Sequence, residues 1–217
     1  MPGPQPPLAA ASLASGRIGV FGGAFDPPHN AHVALARAAI VEAGLDRLHV
    51  VPTGQAWHKA RTLSPARHRL AMTRLAFDGV EQVVVDEREL RREGPSYTID
   101  TLEALQAEQP SCQLVLVLGC DQFDAFRQWH RWQAIAAIAI IYVAARARID
   151  WSNSQFDDDP ELKGRVFWLT LPEMQVSATE LRGLAAAGAD ISSQVPRSVA
   201  RYISLHALYS LRPLLPP

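Results

Sequence analysis

At 217 residues the chain is long enough to bury a sizeable core, and one domain is the default at that length. A hydrophobic content of 48% with 20% charged residues is that of a globular protein rather than a disordered or fibrous one. The net charge of −1 provides no global basic field for nucleic-acid binding, so any anion site must be local.

Residues 1–16 are rich in Pro, Ala and Ser and lack a basic leader; they read as a flexible extension rather than a signal peptide. Residues 17–210 read as the folded domain and 211–217 as a tail. The two cysteines, Cys112 and Cys120, bracket one apolar run and suggest a reducing cytoplasm rather than a disulfide framework. The longest weakly apolar run, 134–145, is shorter than the roughly 18 residues a membrane helix needs, so a soluble, cytoplasmic protein is expected.

Apolar strand-like runs recur at 17–21, 48–52, 82–85, 114–118, 139–144 and 166–169. Helical patterns alternate with them at 29–43, 65–77, 98–108 and 122–135, and two more helices are predicted from Ser177 to Ala187 and from Pro196 to Leu208. Strand–helix alternation with apolar strands predicts an α/β fold, a doubly wound, Rossmann-like parallel sheet with helices on both faces. In such a sheet ligands sit at the carboxyl ends of the strands.

The first of those ends carries Gly22-Gly23-Ala24-Phe25-Asp26-Pro27-Pro28-His29-Asn30-Ala31-His32. Two glycines let backbone N–H groups approach an anion, and the helix that follows adds unpaired donors and partial positive charge. His29 and His32, three apart, share one face of its first turn. An ordinary strand-to-helix loop would also use prolines here, but the combination after a strand favours a phosphate site. A zinc-protease helix spaces its histidines by four with a glutamate between, which this is not. A third loop glycine and a Gly-Lys-Ser/Thr motif are both missing, which disfavours a nicotinamide oxidoreductase and a P-loop ATPase.

Later loops offer further polar groups. His58 and Lys59 follow the second strand, with Trp57 beside them. The run 86–92 reads as a charged surface. In Gly94-Pro95-Ser96-Tyr97-Thr98, Ser96 reads as a helix cap, and the N–H groups that follow suit a carboxylate. Gly119 permits close approach, Asp121 suits a ribose, and Trp129 reads either as core or as a stacking surface for a base. Arg146 closes the fifth strand, where it is expected to face a phosphate. Ser177 with Glu180 forms a capping box; Ser177, Thr179 and Arg182 also make an anion grip.

In this order the segments resemble the nucleotidyltransferase superfamily marked by His-x-Gly-His and a later Ser-x-Thr-x-x-Arg motif, and within it the bacterial nicotinate-mononucleotide adenylyltransferases. The resemblance runs from about Gly19 to Leu208. It implies adenylyl transfer from ATP to nicotinate mononucleotide by direct in-line attack, giving the deamido dinucleotide and pyrophosphate. His29, His32, Lys59 and Arg182 are the expected charge-stabilising residues.

Gly22, Gly23, Phe25, Gly119, Asp121, Arg146, Ser177 and Thr179 join His29, His32 and Arg182 around ATP. Ala24, His58, Lys59, Ser96, Tyr97, Thr98, Trp129 and His130 are expected around the mononucleotide. Mg²⁺ is expected on ATP with no protein metal ligand, and no nucleic-acid or membrane partner; homo-oligomerisation stays open. The glycine between the family's histidines is Ala31 here, a small change that the helix tolerates. Rival readings are the phosphopantetheine adenylyltransferase of the same superfamily, a non-catalytic nucleotide sensor, and a synthetase-like fragment.

Overall fold

Six apolar runs pair into one parallel sheet. The computed structural model describes residues 16–55, 63–144, 159–172, 174 and 176–210. Strands β1 (Arg17–Gly23), β2 (Arg47–Pro52), β3 (Val83–Val85), β4 (Gln113–Gly119), β5 (Ala139–Ala144) and β6 (Val166–Leu169) stand in the order β3-β2-β1-β4-β5-β6. The chain moves outward from β1 to β3, returns to β4 beside β1, and leaves the other way. Strand order therefore reverses between β1 and β4, the point where open α/β sheets form their ligand crevice.

Alternate strand residues feed two cores. One gathers Phe21, Leu48, Val50, Val115 and Val117 under α1 (Asn30–Glu42), α2 (Ala66–Phe77), α7 (Ala178–Ala186) and α8 (Arg197–Leu205). The other gathers Ile18, Val20, Val51, Leu114 and Leu116 under α4 (Thr98–Glu108), α5 (Cys120–Asp124) and α6 (Trp132–Ile138). Burial on both faces explains why the strands read as continuous apolar runs.

Three expectations are corrected. The helix expected over 122–135 is two short helices, α5 and α6, joined by a 3₁₀ turn at Phe126–Gln128 and a left-handed Arg131 (φ 54°). Its aromatics Phe123, Phe126, Trp129 and Trp132 recur every third residue, a period that one α-helix cannot keep on one side but a three-residue turn can. Phe126 accordingly lies within 5.7–6.1 Å of the other three rings. Glu103 holds Arg131 at 2.8 Å.

The run 86–92 is not a solvated surface, since it forms the short helix α3 (Arg88–Arg91) with Glu89 only 6% exposed. Thr101 donates to Glu89 at 2.9 Å, and burial raises the carboxyl above its usual range. Gly54 is needed here because a Cβ would lie 2.2 Å from the Glu89 carbonyl oxygen. Asp86 bonds His49 Nδ1 at 2.9 Å and Arg88 Nε at 2.8 Å. Burial by itself would raise the Asp86 carboxyl, but the bonds from His49 and Arg88 win and hold it well below the carboxylate range.

The last helix stops at Leu205 rather than Leu208. Ala207 turns left-handed (φ 47°), Leu208 N–H donates to Ile203 O at 3.0 Å and Ala207 N–H to Ser204 O at 3.2 Å. That is a Schellman termination with alanine where glycine is usual. Ala207→Gly should therefore stabilise the protein by about 0.5–1 kcal/mol, read as a raised urea midpoint at unchanged m-value.

Candidate functional site at the split between the central strands

The β1–β4 ladder ends early. It pairs Arg17 with Gln113 through Val20 with Leu116, whereas β1–β2 continues to Gly23 and Pro52 and β4–β5 to Gly119 and Ala144. The carboxyl ends of the two central strands thus splay, with α1 leaving on one face and α5 on the other. Gly22 and Gly119 stand at the mouth, and a Cβ on either would meet nothing within 4 Å among the described residues.

The loop after β1 is pinned from four directions. Phe25 is left-handed (φ 47°) and 1% exposed, its ring edge-on to Phe21 at 5.5 Å and His32 at 5.1 Å. Arg69, buried on α2, donates to the carbonyls of Ala24 at 3.1 Å, Thr53 at 2.7 Å and Ser64 at 3.0 Å. Asp26, also 1% exposed, accepts from Ser64 N–H at 3.1 Å and from the Tyr209 hydroxyl at 2.7 Å. Arg182 Nη1 donates to the Asp26 carbonyl at 2.8 Å, and its Nη2 to Thr179 Oγ1 at 3.0 Å.

The two histidines open α1 as expected, His29 as its N-cap and His32 in its first turn. Their rings stack with centroids 3.6 Å apart at 23°. His29 N–H donates to His32 Nδ1 at 3.1 Å, which makes Nδ1 the acceptor and leaves the neutral ring's proton on Nε2. His29 is 8% exposed, its Nδ1 is buried, and burial lowers its pKa to about 4. The expected unpaired helix donors are fewer than the sequence suggested, because Asn30 N–H is taken by Gln194 O at 2.9 Å.

Across the crevice, Asp121 lies exposed in the first turn of α5. Trp129 is half-buried against Phe126, so part of it belongs to the core. Tyr97 and His130 pack ring on ring at 4.3 Å. Ser96 does not cap α4: the cap position is Tyr97, and Ser96 Oγ is buried with no bonded partner among the described residues, while its N–H bonds Gln55 O at 3.0 Å. Thr98 is the first residue of α4.

Ser177 serves as the cap of α7, accepting from Glu180 N–H at 3.2 Å, so of the expected grip it is Arg182 that reaches the loop, with Thr179 accepting from its Nη2. His58, Lys59 and Arg146 lie outside the described residues.

Arg69, Asp26 and Tyr209 escaped the sequence reading. One signal was present for Arg69: it shares the buried stripe of α2 with Met72, Thr73 and Ala76, an arginine at a core position.

A cytidylyltransferase-like family model matches residues 20–184. A relative from Albidiferax ferrireducens, named "Probable nicotinate-nucleotide adenylyltransferase", is 54% identical over 89% of this chain and 98% of its own. One from Bordetella petrii with the same name is 42% identical over 89% and 98%. Among solved structures, the nicotinic acid mononucleotide adenylyltransferase of Plasmodium falciparum complexed with NaAD superposes with a TM-score of 0.73 over 89% of this chain and 97% of that one. At 19% identity that likeness speaks for the fold. The chain belongs to the cytidylyltransferase-like nucleotidyltransferases and, within them, to the nicotinate-nucleotide adenylyltransferase family.

Proposed function

We propose that the crevice binds MgATP against the residue 22–32 loop and α7, and nicotinate mononucleotide against α4 and the Tyr97–His130 pair. The observation carrying the ATP half is the bond from Arg182, itself held by Thr179, to the Asp26 carbonyl, on the same loop that ends in the stacked histidines. A guanidinium, a hydroxyl and an imidazole Nε2–H are donors suited to phosphate oxygens, not to a divalent cation. Magnesium therefore travels with ATP as part of the substrate, held by phosphates and water.

The mononucleotide phosphate is itself the nucleophile. It attacks the α-phosphorus of ATP in line, forming the new P–O bond as the bond to pyrophosphate breaks. The protein's share is placement and stabilisation of charge on the departing pyrophosphate, by His32, Arg182 and, outside the described residues, Lys59. His29, neutral in the free protein at pH 7, acts as a hydrogen-bonding partner that phosphate charge moves towards protonation.

The aromatic pair offers a flat wall for the nicotinate ring, and the N-terminus of α4 carries no side-chain cap, which favours a carboxylate over an amide.

Pyrophosphate release from MgATP, measured with nicotinate mononucleotide, its amide and phosphopantetheine in turn, tests the reading: kcat/KM should be highest for the acid, and equal values for acid and amide would end the carboxylate assignment. His32→Ala should lower kcat/KM by about 10²–10³ with the circular-dichroism spectrum unchanged.

The histidine cap also gives a pH signature. Its folded pKa of about 4 lies below the unfolded value of 6.5, so unfolding takes up a proton and stability falls as pH drops between those values. The loss approaches on the order of 3 kcal/mol, and His29→Gln should flatten urea-derived stability across that window.

A further inference from the structure

Tyr209 is separated from the phosphate loop by 183 positions in sequence, yet its hydroxyl donates to Asp26 Oδ1 at 2.7 Å. The segment that delivers it is built for that purpose. Helix α8 is anchored by buried Val199 and Ile203, and the chain then passes through two left-handed non-glycine residues, Ala207 (φ 47°) and Tyr209 (φ 67°). The Schellman turn accounts for Ala207. The second left-handed residue is Tyr209 itself, a conformation that a bulky side chain adopts only when its contacts hold it there.

Those contacts are polar and shared with the site. Asp26 accepts Tyr209 on one carboxylate oxygen and Ser64 N–H on the other, while its carbonyl accepts Arg182. Burial, then the Asp26 charge, raises the Tyr209 phenol, while Ser64 and Arg182 act in the opposite sense. The phenol therefore remains a donor at any working pH. With both carboxylate oxygens bonded, the Asp26 side chain cannot turn without breaking a buried bond, and the carbonyl that receives Arg182 is set with it.

We propose that Tyr209 is a positioning residue of the ATP-phosphate site: by holding the Asp26 carboxylate it fixes the Asp26 carbonyl, and through that carbonyl the guanidinium of Arg182. This rests on the reading of Arg182 as a phosphate ligand. The route proposed for Tyr209 runs through its bond to Asp26.

Tyr209→Phe removes the one oxygen and keeps the ring. In steady-state assays with MgATP and nicotinate mononucleotide, KM for ATP should rise about tenfold. KM for the mononucleotide should stay within about twofold, while kcat falls as Arg182 is displaced from the departing pyrophosphate; a general loosening of the fold would raise both KM values. In an Arg182→Lys background the same change should add less than about twofold to KM for ATP, since the group it positions is already altered.

A KM for ATP within about twofold of wild type, parallel rises for both substrates, or full additivity with Arg182→Lys would each overturn the proposal. If Tyr209→Phe alone folds poorly, the comparison is made in the Ala207→Gly background, where the same ratios apply.

A wild type that binds ATP but releases no pyrophosphate with the mononucleotide would refute the functional reading instead. The latch would then be judged on the ATP Kd by calorimetry, a tenfold weakening in Tyr209→Phe supporting it and an unchanged value overturning it. A wild type that does not bind ATP would defeat both.

Discussion

The carboxyl edge of this sheet depends on one buried aspartate. Asp26 receives Ser64 from the segment that leads into α2, Tyr209 from beyond α8, and Arg182 from α7, so three elements distant in sequence converge on one residue of the β1–α1 loop. Arg69 completes the arrangement from below, tying Ala24, Thr53 and Ser64 to a single guanidinium. Burying a carboxylate and a guanidinium is expensive, and such groups contribute geometry more reliably than stability. What they secure here is the path of a loop whose glycines and left-handed Phe25 would otherwise leave it several conformations. Because the three carbonyls answer to a rigid planar fork, lysine in place of Arg69 could reach only part of the set.

The crevice itself follows from topology rather than from any single side chain. Two strands joined along their lower halves and pulled apart above must expose backbone at their ends, and Gly22 and Gly119 leave that opening unfilled. Polar groups are then delivered to its rim by whichever loops follow β1, β4 and β6. The site residues are consequently scattered in sequence while the architecture that gathers them is one sheet.

This division explains what could be read from the sequence. Strand–helix alternation and the histidine pair are carried by local patterns: continuous apolar runs, a glycine pair, a three-residue spacing. They were legible, and α1 begins where expected. Ser177 and Arg182 were legible as a motif, though only the structure separates the serine's capping role from the arginine's reach to Asp26.

Glu89 and Tyr209 were not legible. A charged run gives no sign that Thr101 and the Gly54 backbone await one of its members, and a tyrosine near the end of a helix gives no sign of an aspartate 183 residues away. Such pairings depend on tertiary approach, to which a periodicity is blind. The aromatic period of three was visible between Phe123 and Trp132, and a stricter reading of it would have broken the helix there.

The electrostatics of the site now acquire a logic. The protein has a net charge of −1, and both proposed substrates are anions, so attraction has to come from a few groups placed at the rim. Arg182 brings a permanent charge, already oriented by Asp26 and Thr179. His29 brings none in the free protein, because burial lowers its pKa to about 4. A site with every cation already charged would hold pyrophosphate as firmly as ATP and slow its departure. A buried imidazole that takes up a proton as phosphate charge arrives, the role proposed for His29, binds in proportion to the charge present. That difference favours the state in which negative charge is greatest on the transferred and leaving phosphates, which is where catalysis by differential binding requires it.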